Sequence, residues 1–138
     1  MKSFYKDPAD RNHLCTSGVI VRNGKVLLGN RVYSDANMWV GPGGRCDDGE
    51  SPEEAVLREV REEVGVTDAR IVRKLGEKDG AAGKDRVIVF EIATEQEPKL
   101  MEPEKFKEWR WFGIDEIPEN LPTSEDRSFF AKALASNA

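Results

Sequence analysis

Three carboxylates, Glu59, Glu62 and Glu63, fall at i, i+3 and i+4 behind the glycine-rich stretch Gly41-Pro42-Gly43-Gly44. On a helix that spacing puts all three on one face. Like charges so placed repel by about 0.2–0.5 kcal/mol per pair, and Arg58 and Arg61 offset only part of this. A solvated acidic face is the bland account of such a cluster. The glycine stretch argues against it, because it can bring backbone carbonyls alongside the carboxylates. Carboxylate and carbonyl oxygens together suit a hard divalent cation such as Mg²⁺. That ion takes a few carboxylates, keeps several waters and draws its remaining ligands from substrate phosphates. The chemistry on offer is metal-assisted displacement at phosphorus.

The helix that must carry these groups is legible from local signals. Ser51 is a good N-cap, Pro52 suits the first helical position, and Glu54 three residues after the cap completes a capping box. Acids crowd the first turn, where the helix dipole favours them. Gly65 offers the C-terminal stop. Val56, Val60 and Val64 form one apolar stripe with Leu57 on its edge, so that stripe faces the core.

The same stretch carries a resemblance. Gly44, five residues, Glu50, seven residues, Arg58-Glu59-Val60, one residue, Glu62-Glu63, one residue, Gly65-Val66 is similar to the complete Nudix box, with every fixed position matched. The box covers about a sixth of the chain. Trp39-Val40-Gly41-Pro42-Gly43-Gly44 resembles the family's Trp-x-x-Pro-Gly-Gly approach, with Gly41 departing from the apolar residue often found before the proline. Met101-Glu102-Pro103-Glu104-Lys105 followed by Trp109-Arg110-Trp111-Phe112 is similar to a segment of MutT-like, nucleotide-cleaning members. The resemblance implies a Nudix fold, an α/β/α sandwich with a central mixed sheet, and Mg²⁺, or Mn²⁺ in its place, as cofactor. It implies Glu59, Glu62 and Glu63 as metal ligands, the Gly43 or Gly44 carbonyl as a further one, and a carboxylate from the late loop. Glu104 is the first choice for that carboxylate and Glu102 the second. Arg58 orients the cluster through ion pairs that extend to Glu50. One of Glu59, Glu62 and Glu63, or Glu104, is the general base, with Glu62 favoured. On the substrate side stand Arg31, which could reach phosphates, Trp39, which could stack on a base, and Glu102.

The mechanism follows from charge. A pyrophosphate linkage breaks slowly because its negative oxygens repel a nucleophile. Divalent cations neutralise those oxygens and acidify a bound water, and a carboxylate removes the proton. A nucleoside diphosphate linked to another group is the implied substrate class. Within it a nucleoside triphosphate, oxidised or not, released as monophosphate and pyrophosphate, is the first reading. ADP-ribose, dinucleotide polyphosphates and RNA 5′ ends are the alternatives, followed by a catalytically silent binding module. All three box carboxylates are present, which speaks against the module.

The rest of the chain sets bounds. Its 138 residues read as one domain, 1–138, large enough for a core. The net charge of −5 disfavours nucleic acid and membrane surfaces as partners. No apolar run approaches the ~18 residues of a membrane span, and Met1 to Asp10 has no signal-peptide core. Cys15 and Cys46 stand in unrelated contexts, which suits a reducing cytoplasm rather than a disulfide framework. A monomer or homodimer acting on a small nucleotide is the expectation.

Strands are expected over Leu14 to Arg22, Lys25 to Arg31, Ala69 to Leu75, Arg86 to Ala93 and Glu108 to Phe112, with a hairpin turn at Asn23-Gly24. Met38 to Val40 is a short apolar piece. Glu77 to Asp85 reads as a turn-rich loop; it lacks the spacer and the Ser or Thr of a phosphate-binding P-loop. Ile114 to Ile117 reads as a helical turn. Pro122 to Ala135 reads as a terminal helix capped by Thr123, with Phe129, Phe130, Ala133 and Leu134 on its apolar face. Met1 to Asn12 reads as a loose arm.

Overall fold

The computed structural model describes residues 13–34, 36–80 and 85–136. The expected arm over Met1 to Asn12 lies outside them. A mixed sheet runs through the middle of the molecule in the order β3-β2-β1-β6-β5. Its strands are β1 (Leu14–Arg22), β2 (Lys25–Val32), β3 (Asn37–Val40), β5 (Arg70–Asp79) and β6 (Arg86–Ala93). The short β4 (Gly43–Arg45) pairs with β1, and β7 (Phe106–Phe112) pairs with β2. Helix α1 (Pro52–Val64) covers one face and α2 (Asp126–Ser136) the other. The layers are α/β/α, as expected.

β1 is the spine. It runs parallel to β6 from Leu14↔Arg86 to Ile20↔Ile92, meets β2 antiparallel at Val21↔Val26, and meets β4 antiparallel at Cys15↔Arg45 to Ser17↔Gly43. The β1–β2 hairpin turns at Asn23 (φ 52°) and Gly24 (φ 76°), the two left-handed residues of a type I′ turn. Alternate side chains divide between the faces. Val19 and Val21 point to the α2 side with Val26, Leu28, Val87 and Val89, whereas Ile20 points to the α1 side with Leu27, Phe90 and Ile92. Burial of both faces is what the unbroken apolar run in β6 implies.

α1 forms as its local signals predict. Ser51 Oγ accepts the Glu54 N–H at 3.1 Å, Glu54 Oε1 accepts the Ser51 N–H at 2.9 Å, and Gly65 closes the helix at φ 74°. Val56, Val60 and Val64 are fully buried. Each contributes about 1.5–3 kcal/mol over an exposed position, which holds the helix against the sheet and fixes its rotation.

The structure departs from expectation in four places. Gly43 to Arg45, given no element in the sequence, form a strand because β1 offers its edge there. Glu77, Lys78 and Asp79 continue β5 instead of forming a loop; they pair with Ile88, Val87 and Arg86, and the Arg86 guanidinium bonds both Glu77 Oε1 and Asp79 Oδ1. Residues 81–84 of that expected loop lie outside those described. β7 begins at Phe106, two residues early, because Phe106 pairs across to Arg31. α2 begins at Asp126 rather than Pro122. Asp126 Oδ2 accepts the Thr123 N–H at 3.0 Å, but the Thr123 hydroxyl is taken by the Lys78 ammonium at 3.2 Å and caps nothing.

Candidate active site

β4 and α1 meet where the acids stand. Gly43 and Gly44 let them meet. A β-carbon at Gly43 would lie 2.1 Å from the Thr16 carbonyl oxygen, and one at Gly44 would lie 2.8 Å from Glu59 Oε1. The β1–β4 ladder takes the Pro42 carbonyl from one side and the Cys46 N–H from the other. Alternation then turns the Gly43 peptide away from β1, and its N–H donates to Glu63 Oε1 at 3.0 Å.

Arg58 is the hub. Its Nε donates to Glu50 Oε2 at 2.8 Å and its two terminal nitrogens reach Glu59 Oε1 at 2.9 Å, Glu62 Oε1 at 3.0 Å, Glu50 Oε1 at 3.0 Å and the Arg45 carbonyl at 3.1 Å. The expected pair with Glu50 is present and is two-pronged. These bonds, joined by the Asp47 N–H, hold the Glu50 carboxyl down at about 2. One guanidinium thus ties α1 to the β4–α1 connection and to two of the three cluster acids.

The cluster acids differ in environment. Glu63 is buried; burial and then the Glu59 charge push its carboxyl up to about 8, against the pull of the Gly43 N–H. Burial also raises Glu59, against Arg58. Glu62 is half-exposed. A buried carboxylate beside a part-buried one that repels it is the arrangement that added positive charge relieves.

The far wall comes from the segment after β6. It is pinned to the end of α1 by the Lys99 N–H on the Val64 carbonyl, 2.7 Å. It then turns at residues 102–105, with the Lys105 and Phe106 N–H groups on the Glu102 carbonyl, and meets the end of β2 through the Val32 N–H on the Lys105 carbonyl, 2.8 Å. That path hangs Glu102 and Lys105 over the α1 acids: the charges of both act on Glu63, and that of Lys105 on Glu59. Glu102 Oε2 lies 3.5 Å from Lys105 Nζ, and its buried Oε1 has no hydrogen-bond partner. Arg31 lies against the rings of Tyr33 and Phe106, 5.1 and 5.5 Å from their centroids, with Nη1 3.4 Å from the Lys105 carbonyl oxygen. Tyr33 is near enough to Glu63 for that charge to raise its phenol, though burial is the larger cause and Arg31 opposes both.

Of the residues singled out in the sequence, Arg58, Glu59, Glu62, Glu63, Gly43 and Gly44 come together, with Glu102 across from them. Glu104 is exposed on the turn, and Glu102 is the late-loop acid whose charge reaches Glu63. Trp39 stands apart. Its ring is buried in the α2-side core, edge-on to Phe112 at 4.9 Å, so its size serves packing. Tyr33 and Lys105 went unassigned in the sequence. A tyrosine two after Arg31 and a lysine between two acids and an aromatic strand are weak signals until the chain path joins them.

Oxygen donors, a repelling pair of carboxylates and an unpartnered buried carboxylate oxygen are the chemistry a hard divalent cation takes. Among the described residues no three acidic, histidine or cysteine side chains are already gathered around one point. Arg58 holds the oxygens of Glu59 and Glu62 in their place.

Comparison with known proteins identifies the family. The family model described as the NUDIX domain matches residues 12–133. An RNA pyrophosphohydrolase of Wolbachia pipientis wMel is 32% identical over 117 residues, 70% of each chain. The crystal structure of a MutT NUDIX hydrolase from Burkholderia pseudomallei superimposes with a TM-score of 0.74 at 29% identity, covering 88% of this chain and 97% of that one. A MutT protein from Methanosarcina mazei Go1 does so with 0.75 at 27% identity, over 92% and 96%. The family match over most of the chain, the shared fold and the acid-bearing helix lead to one conclusion: this chain belongs to the NUDIX domain family, is MutT-like, and is a hydrolase acting on pyrophosphate bonds.

Proposed function

We propose that the protein hydrolyses a nucleoside triphosphate to nucleoside monophosphate and pyrophosphate, with Mg²⁺ as cofactor and Mn²⁺ able to replace it. The observation that supports this most is the α1 cluster: buried Glu63 and part-buried Glu59, repelling one another beside half-exposed Glu62, with the Gly43 N–H on Glu63 and Arg58 on Glu59 and Glu62. Bound divalent ions would neutralise phosphate oxygens and acidify the attacking water. Glu59, Glu62 and Glu63 hold them, with the carbonyls of Gly43 and Gly44 as further oxygens. Glu102 stands ahead of Glu104 for the late-loop place, because it has an unpartnered buried oxygen and its charge acts on Glu63. Arg58 orients Glu59 and Glu62 and cancels part of their repulsion. Glu62, the most exposed of the three, accepts the proton from water. Arg31 binds phosphate from the opposite wall.

The water oxygen bonds to phosphorus, the bridging P–O bond breaks, and the electron pair leaves with pyrophosphate. The protein acts in the cytoplasm, as monomer or homodimer, on a small molecule. Among the described residues no helix is long and apolar enough to cross a membrane.

An RNA 5′-triphosphate presents the same polyphosphate to the same groups, and the relative of 32% identity carries the name RNA pyrophosphohydrolase. The net charge of −5 disfavours an RNA body beyond the first nucleotides. A panel of nucleoside triphosphates, ADP-ribose, dinucleotide polyphosphates and 5′-triphosphorylated RNA, run with Mg²⁺ and with EDTA and resolved by chromatography, tests both readings. Metal-dependent pyrophosphate release, fastest from a free nucleoside triphosphate, is expected. Faster release from the RNA overturns the first reading in favour of the second, and no metal-dependent release from any member overturns both.

A further inference from the structure

The acids of α1 face a wall that carries the opposite charge. Arg31, at the end of β2, lies against two rings and reaches the Lys105 carbonyl. Lys105 has its backbone held at both ends, its N–H on Glu102 and its carbonyl on Val32, while its side chain remains 40% exposed. The ammonium has a long contact, 3.5 Å, with Glu102 Oε2, and its charge falls on both Glu59 and Glu63 across the gap. The backbone is fixed while the side chain stays part-exposed, with its charge acting on the α1 acids.

We propose that Lys105, with Arg31 and Tyr33 beside it, binds the terminal phosphate of the substrate chain, the part that leaves as pyrophosphate. This deepens the pyrophosphohydrolase reading and rests on it. The physical case is charge placement. Divalent ions held by the acids would neutralise the inner part of a triphosphate, and its outermost phosphate carries the most charge. A cation on the far wall neutralises that end, and it strengthens its hold as bond breaking moves negative charge onto the leaving group. Arg31 offers the planar, multi-donor half of the wall and the Tyr33 hydroxyl a neutral donor; Lys105 offers a compact point charge. A nucleoside monophosphate, lacking the outer phosphates, gains nothing from the wall. The site therefore selects for chain length, favouring three phosphates over one irrespective of base.

The test measures binding, not turnover. The full chain with Mg²⁺ is titrated calorimetrically with α,β-methylene-dGTP and with dGMP. Lys105→Met is expected to weaken the triphosphate analogue tenfold or more and dGMP by no more than twofold, with an unchanged melting temperature. Lys105→Arg, which keeps the charge, is expected to stay within threefold of wild type. Equal loss on both probes, no loss on the analogue, or a Lys105→Arg variant as weak as Lys105→Met overturns this inference alone. A wild-type chain that binds neither probe overturns the polyphosphate reading and this inference with it.

Discussion

The two helices cover opposite faces of one sheet, and each brings charge to it in a different way. On the α1 side one arginine, Arg58, bonds two of the three carboxylates, Glu59 and Glu62, while the third, Glu63, is buried near enough to Glu59 to repel it. On the α2 side Lys78 of β5 and Asp126 at the start of α2 make a buried one-to-one pair, with the Thr123 hydroxyl taking another ammonium proton. The α2 side is balanced and joins strand to helix. The α1 side is out of balance toward negative charge, and stability alone gives no reason to keep it so. A charge imbalance held in place by a capped helix, a two-pronged ion pair and two obligatory glycines is a site that awaits positive charge.

The sharpest way to break the contrast is to unbalance the α2 side. Lys78→Met or Asp126→Ala leaves one buried charge alone and is expected to cost about 3–5 kcal/mol in chemical denaturation. The double replacement Lys78→Met with Asp126→Leu should recover most of that. A silent single variant would mean that the pair is no closed unit.

Next in size is the pH response of the metal-free protein. Burial and Glu59 lift Glu63 to about 8 in the fold from its ordinary 4.5. The folded chain therefore holds a proton that the unfolded chain has lost, so stability falls as pH rises between those values. Melting in EDTA should drop from pH 5 to pH 8, on the order of a few kcal/mol at most, and Glu63→Gln should flatten the slope. A divalent cation, which competes with that proton, should raise the melting temperature more at pH 8 than at pH 6.

For chemistry, Glu62→Gln and Glu63→Gln should each lower turnover by ~10² or more, about 2.7 kcal/mol of barrier, with the melting temperature of Glu62→Gln near wild type and that of Glu63→Gln near wild type at pH 5. Near-normal rates in both would remove the metal-site assignment. Smallest is Val60→Ala, which empties a fully buried position on the stripe behind the acids and should cost about 1–3 kcal/mol, read by denaturation. A thermally silent Val60→Ala would mean that the helix is rotated differently on the sheet.

The same contrast explains what could be read from the sequence. α1 was legible to the residue because its determinants are local: Ser51, Pro52, Glu54 and Gly65 act within a turn of themselves. β1 and β6 were legible because their apolar runs stop at a charged residue on one side, Arg22 before the Asn23-Gly24 turn and Arg86 at the start of β6. What stayed hidden depends on partners far along the chain. The β4 strand exists only because β1 presents an edge, and the last residues of β5 are strand only because Arg86 and Val87 pair with them. Lys78 finds Asp126 across 48 positions. The box acids could be named from their spacing, whereas Tyr33 and Lys105 reach the site only through the path of the segment after β6.

The claim beneath all of this is that the glutamates of α1 exist to be bridged by a divalent ion. A crystal of the protein grown with Mn²⁺ and a non-hydrolysable nucleoside triphosphate tests it most directly, through the anomalous signal of the metal. The account predicts manganese bound by carboxylate oxygens of Glu59 and Glu63 at about 2.1–2.2 Å, with triphosphate oxygens completing its shell. Manganese on the nucleotide alone, with Glu59 still on Arg58 and Glu63 still on the Gly43 N–H and neither touching the ion, would contradict it.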